Sequence, residues 1–187
     1  MGDGVESIAA CALGMVTTRK GNVVMCSKTR NRMKVCAVLN RWASENVPKG
    51  FTWTTIQLNL NYASKPHVDG NNRGPSQIIG LGDYKGGEML IWGLGKVDIK
   101  DKWTEFNGTH WHQTYPFPTG SRYSFVFFSI NKADACTPEV LKELKGVGFP
   151  GRLKKNLANR IFMYFLTKSA PKSNFFIQNL NFFARNF

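Results

Sequence analysis

The chain has 187 residues, of which 42% are hydrophobic and 13% aromatic, and it carries a formal net charge of +13 at pH 7. This length and apolar content suit one globular domain with a sizeable core and argue against an intrinsically disordered protein. No apolar run approaches the roughly 18 residues of a membrane-spanning helix. The four cysteines form no C-x-x-C pair, which excludes a zinc ribbon and a dense disulfide framework.

The net charge is unevenly distributed along the chain. Residues 1–50 contain eight basic and three acidic residues, residues 51–143 contain nine of each, and residues 144–187 contain eight basic and no acidic residues. The two ends therefore carry the whole net charge of a chain whose middle is neutral. Basic segments attract phosphates and anionic surfaces without sequence preference, although most charged runs are simply solvated faces.

The first residues do not match a targeting signal. Asp3 and Glu6 precede the apolar run at residues 8–16, where a secretory signal would be basic. Glu6 also stands where the N-myristoylation pattern needs Ser or Thr. Because the separated cysteines are typical of reduced thiols, we expect an intracellular protein, cytoplasmic or nuclear.

Two elements are predicted before residue 50. Residues 15–28 place β-branched and apolar residues on both sides of a Lys-Gly-Asn turn, which predicts a β-hairpin. Residues 31–46 repeat apolar side chains every three to four positions and end before Pro48, which predicts an amphipathic helix. We expect residues 1–50 to form a hairpin and a supporting helix that pack on the main body of the protein.

From Phe51 the pattern changes to the alternation of a β-strand. In residues 51–62, Thr54, Ile56, Leu58 and Leu60 share one face, which predicts a strand with one buried face. More strand-like segments follow between clusters of Gly, Pro, Asn and Asp, namely QIIGLG, GGEMLIWGL, WTEFNG, HWHQTYPF and RYSFVFFSI. Many short strands without intervening helices favour antiparallel pairing in a sandwich, jelly roll or barrel.

The last third of the chain begins with a helix signal. Thr137 suits the N-cap position, Pro138 the first turn and Gly146 the end of a helix. Residues 152–167 are compatible with another helix, and residues 168–187 with an extended or weakly ordered segment. We thus divide the chain into the N-terminal segment 1–50, a β-rich core with its C-terminal helix at 51–150, and a basic tail rich in Phe and Asn at 151–187.

The stretch KPHVDGNNRGPS, residues 65–76, places a histidine and an aspartate two residues apart. On an extended strand, His67 and Asp69 project from the same face and can bind one metal ion from one side. Two histidines and one carboxylate form the facial triad of non-haem Fe(II) oxygenases, which leaves positions open for a co-substrate and O₂. The pair alone is common by chance, so a third ligand is needed. Residues 70–76 are interpreted as a mobile polar loop beside the metal.

The third ligand must be His110 or His112, because the chain has only three histidines. The two lie in HWHQTYPF, again on one face of a strand-like segment. Ten residues after His112, Arg122 opens a very apolar strand, where an unpaired guanidinium would be costly. A dicarboxylate co-substrate would neutralise it, and Ser124 on the same face can add a hydroxyl donor.

The order of these motifs resembles that of the Fe(II)/2-oxoglutarate-dependent dioxygenase superfamily, over about residues 56–129. The matching residues are His67-x-Asp69, Gly86-Gly87-Glu88, His112 and Arg122-Tyr123-Ser124. The resemblance implies a mainly β protein with flanking helices (α+β), whose core is a double-stranded β-helix, or jelly roll, with the metal between two sheets. It makes His67, Asp69 and His112 the iron ligands, and it makes Arg122 and Ser124 the partners of the distal carboxylate of 2-oxoglutarate.

The same resemblance suggests further site residues. His112 is chosen over His110 as the third ligand because the residues that follow it, in HQTYPF, match the family's H-x-T-x-P-F motif. His110 is then expected to lie near the substrate. Tyr62, on the strand before H-x-D, matches a tyrosine that some prolyl hydroxylases use to bind the co-substrate. The candidate substrate contacts in the following loop are Asn71, Asn72 and Arg73.

The implied reaction is hydroxylation of a C–H bond with release of succinate and CO₂. It needs Fe(II), 2-oxoglutarate and O₂, with ascorbate as a candidate reductant. A peptidyl or small-molecule substrate is favoured by Gly-Gly-Glu and by the short spacing from His112 to Arg122. The alternative, a nucleobase of the thymine or methylcytosine type in nucleic acid, is favoured by the basic ends of the chain. A non-catalytic, cupin-like binding module would require the loss of a metal ligand, and none is missing.

Overall fold

The computed structural model describes residues 9–150 of the chain. The predictions for the residues before 9, for a helix at 152–167 and for an extended segment at 168–187 lie outside the described residues. The strands are β1 (Ala9–Thr17), β2 (Val23–Met25), β3 (Thr55–Leu60), β4 (Asn72–Gly82), β5 (Met89–Ile91), β6 (Gly95–Val97), β7 (Thr104–Phe106), β8 (His112–Thr114) and β9 (Arg122–Ile130). The α-helices are α1 (Ser27–Arg30), α2 (Met33–Asn46) and α3 (Pro138–Gly146), and Ala133–Ala135 form a 3-10 turn.

The strands form two sheets that face each other. The large sheet has the strand order β2-β1-β3-β9-β4-β7, and the small sheet has the order β6-β5-β8. Neighbouring strands in both sheets are antiparallel. Ile78 of β4 and Phe106 of β7 pack with Ile91 of β5 in a small core that lies between the sheets. The antiparallel pairing predicted from the many short strands is confirmed.

A larger core lies on the other side of the large sheet, beneath α2. Leu39 and Ala43 of this helix are fully buried there. The ring of Trp42 lies 5.9 Å from the ring of Phe125 in β9. The apolar positions of the helix thus face the sheet, as the three-to-four spacing predicted, and the helix begins at Met33 after the short α1.

Alternation along β9 determines which of its residues face the small sheet. Phe125 and Phe127 both contact the Trp42 ring and therefore face α2. Successive side chains of a strand point to opposite faces, so Arg122 and Ser124 point toward the small sheet. This places the predicted anion-binding residues in the space between the two sheets.

The prediction that β3 has one buried face is wrong at the start of the strand. Thr55 and Ile56 are adjacent and point to opposite faces, yet both are buried. The reason is that β3 lies inside the large sheet, between β1 and β9. The Thr55 hydroxyl is satisfied by donation to the Met15 carbonyl at 2.6 Å, so a polar residue is accommodated on the second buried face.

The prediction of a polar loop at residues 70–76 is wrong from Asn72 onward. Asn72 and Arg73 are the first residues of β4 and pair with the end of β9. The register then shifts after Arg73, at the Gly74-Pro75 pair, as in a β-bulge. The partner strand lies more than fifty residues further along the chain, so the local sequence could not reveal this pairing.

Several local predictions are confirmed, and one strand was missed. β1 and β2 form the predicted hairpin, and Gly21 in its turn has a φ of 83°, which favours glycine. The Thr137 hydroxyl caps α3 by accepting a hydrogen bond from the backbone of Val140.

β6 was not predicted because its three residues, Gly95–Val97, carry little strand signal. Within residues 9–150, no helix is long and apolar enough to cross a membrane.

One buried amide joins α2 to two other parts of the fold. The Asn40 Nδ2 donates to the Val147 carbonyl at 2.8 Å, and its Oδ1 accepts from the Trp53 indole at 2.8 Å. Val147 follows α3, and Trp53 precedes β3. Asn40 is 1% exposed, so water cannot replace either hydrogen bond if the amide is removed.

We predict that Asn40→Ala lowers the free energy of unfolding by about 2–4 kcal/mol, because it leaves the Trp53 N–H and the Val147 carbonyl buried without partners. Urea denaturation followed by circular dichroism measures the change. Lys34→Ala, at an exposed position of the same helix, is the control and should change stability by less than about 0.5 kcal/mol. Equal stability of Asn40→Ala and the wild type would contradict the prediction.

Candidate metal centre

Three of the residues predicted to bind a metal come together at one end of the small sheet. One potential ligand atom from each of His67, Asp69 and His112 lies within 4.8 Å of the others. His112 is the first residue of β8, and His67 lies opposite it in an isolated antiparallel bridge. Each of these two residues donates its backbone N–H to the carbonyl of the other at 3.0 Å. The bridge sets the two imidazoles side by side, with ring centroids 4.3 Å apart.

The two imidazole rings are oriented in the same way. The His67 Nδ1 lies 2.8 Å from the Lys65 carbonyl, and the His112 Nδ1 lies 2.8 Å from the His110 carbonyl. Because a carbonyl only accepts, each Nδ1 must carry a proton and donate. In the neutral ring this leaves Nε2 with a free lone pair, the state that a metal ligand requires. Each Nε2 in turn faces the Asp69 carboxylate, at 3.6 Å for His67 and 3.7 Å for His112.

The donor set fits a non-haem Fe(II) site. Two imidazole nitrogens and one carboxylate oxygen converge from one side, which is the arrangement that leaves several positions on the metal open. His112 is buried and its ring packs edge-on against Phe106 at 5.2 Å. His67 and Asp69 are partly exposed, so a co-substrate can reach the site from their side.

His110 does not join this cluster. Its side chain is exposed, and its Nε2 lies 3.3 Å from the Asn107 amide nitrogen. Its contribution to the site is its backbone carbonyl, which accepts from the His112 ring. The geometry therefore agrees with the choice of His112 over His110 as the third ligand.

The three predicted substrate contacts have different surroundings. Asn71 is exposed, and its carbonyl accepts from the backbone of Asn131. Asn72 is buried and hydrogen-bonded to Asp69. The Arg73 guanidinium forms an ion pair with Asp134. Of the three, Asn71 alone has an exposed side chain, and a substrate role for it stays a prediction.

A second polar group lies between the sheets at the start of β9. Arg122 is 1% exposed, and its Nε and Nη2 have no hydrogen-bond partner. Its Nη1 makes one long contact, 3.5 Å, with the Tyr62 carbonyl. No carboxylate within residues 9–150 neutralises the guanidinium, and burial lowers the pKa of Arg122. A buried cation without an anion is strongly disfavoured, so the surroundings of Arg122 are those of an anion-binding site.

Aromatic rings and a glycine shape the space around this guanidinium. The rings of Tyr84 and Phe117 lie 5.4 and 5.8 Å from the Arg122 Cζ. A Cβ added to Gly87, whose φ is 70°, would come within 3.0 Å of the Arg122 side chain. The sequence analysis matched Gly86-Gly87-Glu88 to a family motif, and the structure shows that Gly87 leaves room for Arg122.

Two hydroxyl groups lie near the same residues. Ser124 is two residues beyond Arg122 on the same face of β9, and its Oγ accepts from the Asn59 amide at 3.2 Å, which leaves its proton free to donate. The Tyr84 hydroxyl is buried beside the Arg122 guanidinium but forms no hydrogen bond of good geometry with it. Burial raises the pKa of Tyr84 to about 12, and the nearby guanidinium acts in the opposite direction. A Cβ on Gly80, opposite Ser124, would lie 2.3 Å from the Tyr84 hydroxyl.

Tyr84 is a site residue that the sequence analysis missed. It lies in a turn between β4 and β5, where no pattern marks it as buried. Tyr62, which the sequence analysis proposed instead, has an exposed side chain and approaches Arg122 through its carbonyl. A co-substrate role for the Tyr62 hydroxyl thus finds no support in the contacts of this residue.

Comparison with known proteins identifies the fold. No family model matches the chain, and no curated protein sequence does so either. The structure is similar to that of NgTET1 in complex with 5mC DNA, with a TM-score of 0.53 and 12% identity over 73% of this chain and 68% of that chain. An oxidoreductase of the 2OG-Fe(II) oxygenase family from Burkholderia pseudomallei gives a TM-score of 0.45 and 19% identity over 66% of this chain and 68% of that chain. The similarity to NgTET1 shows a shared fold, and the two antiparallel sheets confirm the mainly β core with flanking helices that the motifs implied.

We predict that His112→Ala weakens Fe(II) binding by at least about 100-fold, because it removes a direct ligand. Mutation of residues that only hydrogen-bond to a ligand already weakens metal binding by about 10- to 100-fold. His110→Ala is the matched control and should bind Fe(II) within about threefold of the wild type, because only its backbone carbonyl contacts the site. Anaerobic equilibrium dialysis measures both. The reverse order of effects would contradict the ligand assignment.

Proposed function

We propose that the chain is an Fe(II)- and 2-oxoglutarate-dependent dioxygenase that hydroxylates a C–H bond of a peptidyl or small-molecule substrate. The observation that carries this proposal is the buried Arg122 guanidinium without an anion, on the face of β9 that is directed toward the small sheet. The β8 strand of that sheet begins with His112, a member of the two-histidine, one-carboxylate cluster. A metal site alone fits many functions. A metal site together with an unneutralised buried guanidinium calls for a small anionic co-substrate.

The proposed reaction consumes one O₂ and one 2-oxoglutarate for each C–H bond hydroxylated. One oxygen atom enters the new hydroxyl group, the other enters succinate, and CO₂ leaves. His67, Asp69 and His112 would hold the Fe(II), which supplies the redox chemistry for O₂ activation. The protein's own part is to keep the Nε2 lone pairs of both histidines directed at the metal and to leave the remaining positions accessible.

Arg122 and two hydroxyl groups would bind the distal carboxylate of 2-oxoglutarate. The guanidinium offers Nε and Nη2 as a two-pronged donor that matches a carboxylate. The Ser124 hydroxyl has a free proton, and the Tyr84 hydroxyl is a buried donor that lacks a partner. The high pKa of Tyr84, about 12, keeps it protonated and able to donate at neutral pH. Binding of the carboxylate would satisfy all of these groups at once.

Ascorbate as a reductant and an intracellular location are parts of this proposal. The four cysteines are all free, which agrees with reduced thiols. Cys36 and Cys11 are buried, and burial raises the pKa of both thiols, so neither is an activated nucleophile. These cysteines thus offer no competing catalytic site.

A nucleobase hydroxylase is the second candidate function. Two observations favour it, namely the similarity in fold to a structure of NgTET1 bound to 5mC DNA and the net charge of +13. The described part of the chain up to Ser44 carries basic but no acidic residues. A basic segment of this kind would attract the phosphate backbone of a nucleic acid regardless of base sequence. A non-catalytic binding module is the third candidate, and the complete ligand set argues against it.

We predict that the Fe(II)-loaded full chain releases succinate from 2-oxoglutarate when O₂ is admitted, even without a known substrate. Arg122→Gln should raise the KM for 2-oxoglutarate at least about 100-fold, because it removes the buried positive charge. Tyr84→Phe should raise it by about three- to tenfold through the loss of one hydrogen bond. Lys85→Gln, an exposed neighbour, is the control. The absence of succinate release at any O₂ concentration would refute the proposal that the chain is a dioxygenase.

The nucleobase alternative predicts salt-dependent binding of DNA or RNA. The logarithm of the binding constant should fall linearly with the logarithm of the salt concentration, and truncation after residue 151 should reduce the slope, since seven basic residues lie in residues 152–187. Fluorescence anisotropy with labelled oligonucleotides measures this. Absence of binding at low salt would remove this candidate and leave the peptidyl or small-molecule substrate.

A further inference from the structure

The buried amide of Asn72 is hydrogen-bonded to Asp69, one of the proposed metal ligands. Asn72 is the first residue of β4 and is 8% exposed. Its Nδ2 donates to the Asp69 Oδ2 at 3.2 Å, and its backbone N–H donates to the Asp69 carbonyl at 3.0 Å. The backbone N–H of Asp69 in turn donates to the Gly108 carbonyl at 2.7 Å. Asp69 is therefore held by its backbone on two sides and by Asn72 at its carboxylate.

The two oxygens of this carboxylate are not equivalent. Oδ2 accepts the hydrogen bond from Asn72 and lies 3.7 Å from the His112 Nε2. Oδ1 lies 3.6 Å from the His67 Nε2 and accepts no hydrogen bond from any residue in the described range. One oxygen is thus occupied by a protein donor, whereas the other has its lone pairs free.

Gly108 leaves the space that this amide needs. A Cβ at position 108 would lie 2.7 Å from the Asn72 Nδ2 and 3.1 Å from the Asp69 Oδ2. The backbone of Gly108 is not in the left-handed region, so its conformation is open to any residue. A side chain at this position would therefore displace the Asn72 amide from the Asp69 carboxylate. Two chain segments, one with Asp69 and Asn72 and the other with Gly108, thus combine to position one carboxylate oxygen.

We propose that Asn72 is a positioning residue that makes Asp69 bind the metal through Oδ1 alone. A carboxylate that binds through both oxygens occupies one more coordination position, and it would reduce the number left for 2-oxoglutarate and O₂. The hydrogen bond from Asn72 keeps Oδ2 engaged and fixes the carboxylate plane. This inference rests on the metal site of the proposed function, and it gives Asn72 a role different from the substrate contact predicted from the sequence.

The test uses Mn²⁺ alone as the metal, added to the apo form of the full chain. Electron paramagnetic resonance of free Mn²⁺ gives the dissociation constant, and water-proton relaxation gives the number of water molecules on the bound ion. Asn72→Leu removes the donor at similar volume, and Gly108→Ala displaces the amide without touching Asn72. Asn71→Leu, at the exposed neighbouring position, is the matched control. Thermal unfolding of each apo variant shows whether it is folded.

We expect Asn72→Leu and Gly108→Ala to weaken Mn²⁺ binding by about 10- to 100-fold, the range for loss of an outer-shell partner. The enhancement of water-proton relaxation per bound Mn²⁺ should fall by about one-third. The reason is that Oδ2, once released from Asn72, takes one of about three coordination positions that water otherwise occupies. Asn71→Leu should change neither quantity. If a variant binds Mn²⁺ more weakly but the bound ion keeps the same number of water molecules, Asn72 has only a structural role and the proposal is overturned. Wild-type behaviour of both variants also overturns it. A wild-type chain that binds no Mn²⁺ would instead refute the metal site itself.

Discussion

The candidate metal centre depends on one pair of backbone hydrogen bonds, those that join His67 to His112. Each residue donates its N–H to the carbonyl of the other at 3.0 Å, which connects β8 of the small sheet to the segment that leads into β4 of the large sheet. The same pairing sets the imidazoles side by side and brings Asp69, two residues along, to the same side. Carbonyls two residues before each histidine then fix the ring tautomer. The convergence of these three side chains is thus a product of strand pairing.

The second constraint is the desolvated charge of Arg122. Removal of a guanidinium from water is expensive, and within residues 9–150 no carboxylate offsets that expense. Two features keep the space around the charge available, namely Gly87 beside the arginine and Gly80 beneath the Tyr84 hydroxyl. A fold selected only for stability would replace such a group by an apolar residue. Its presence is best explained by an anion that binds there.

Much of this arrangement could be predicted from the sequence because it depends on local patterns. The period of two in the strands, the spacing of His67 and Asp69 and the apolar strand that begins with Arg122 are all visible within short windows. The burial of Asn72 and of Tyr84 was not predicted, because their surroundings come from distant segments. The extended start of β4 depends on pairing with β9, and the burial of Tyr84 depends on contacts with Gly80 and Phe117. Register between distant strands is the information that a single sequence lacks.

In the proposed function, Arg122 binds the distal carboxylate of a keto acid whose other end binds the metal. Calorimetric titration of the Mn²⁺-loaded chain under anaerobic conditions with 2-oxoglutarate and with 2-oxobutyrate tests it, since 2-oxobutyrate keeps the chelating end and lacks the distal carboxylate. We expect 2-oxoglutarate to bind at least about 100-fold more tightly, the difference that one desolvated charge pair makes. Equal affinity for the two keto acids would contradict the account.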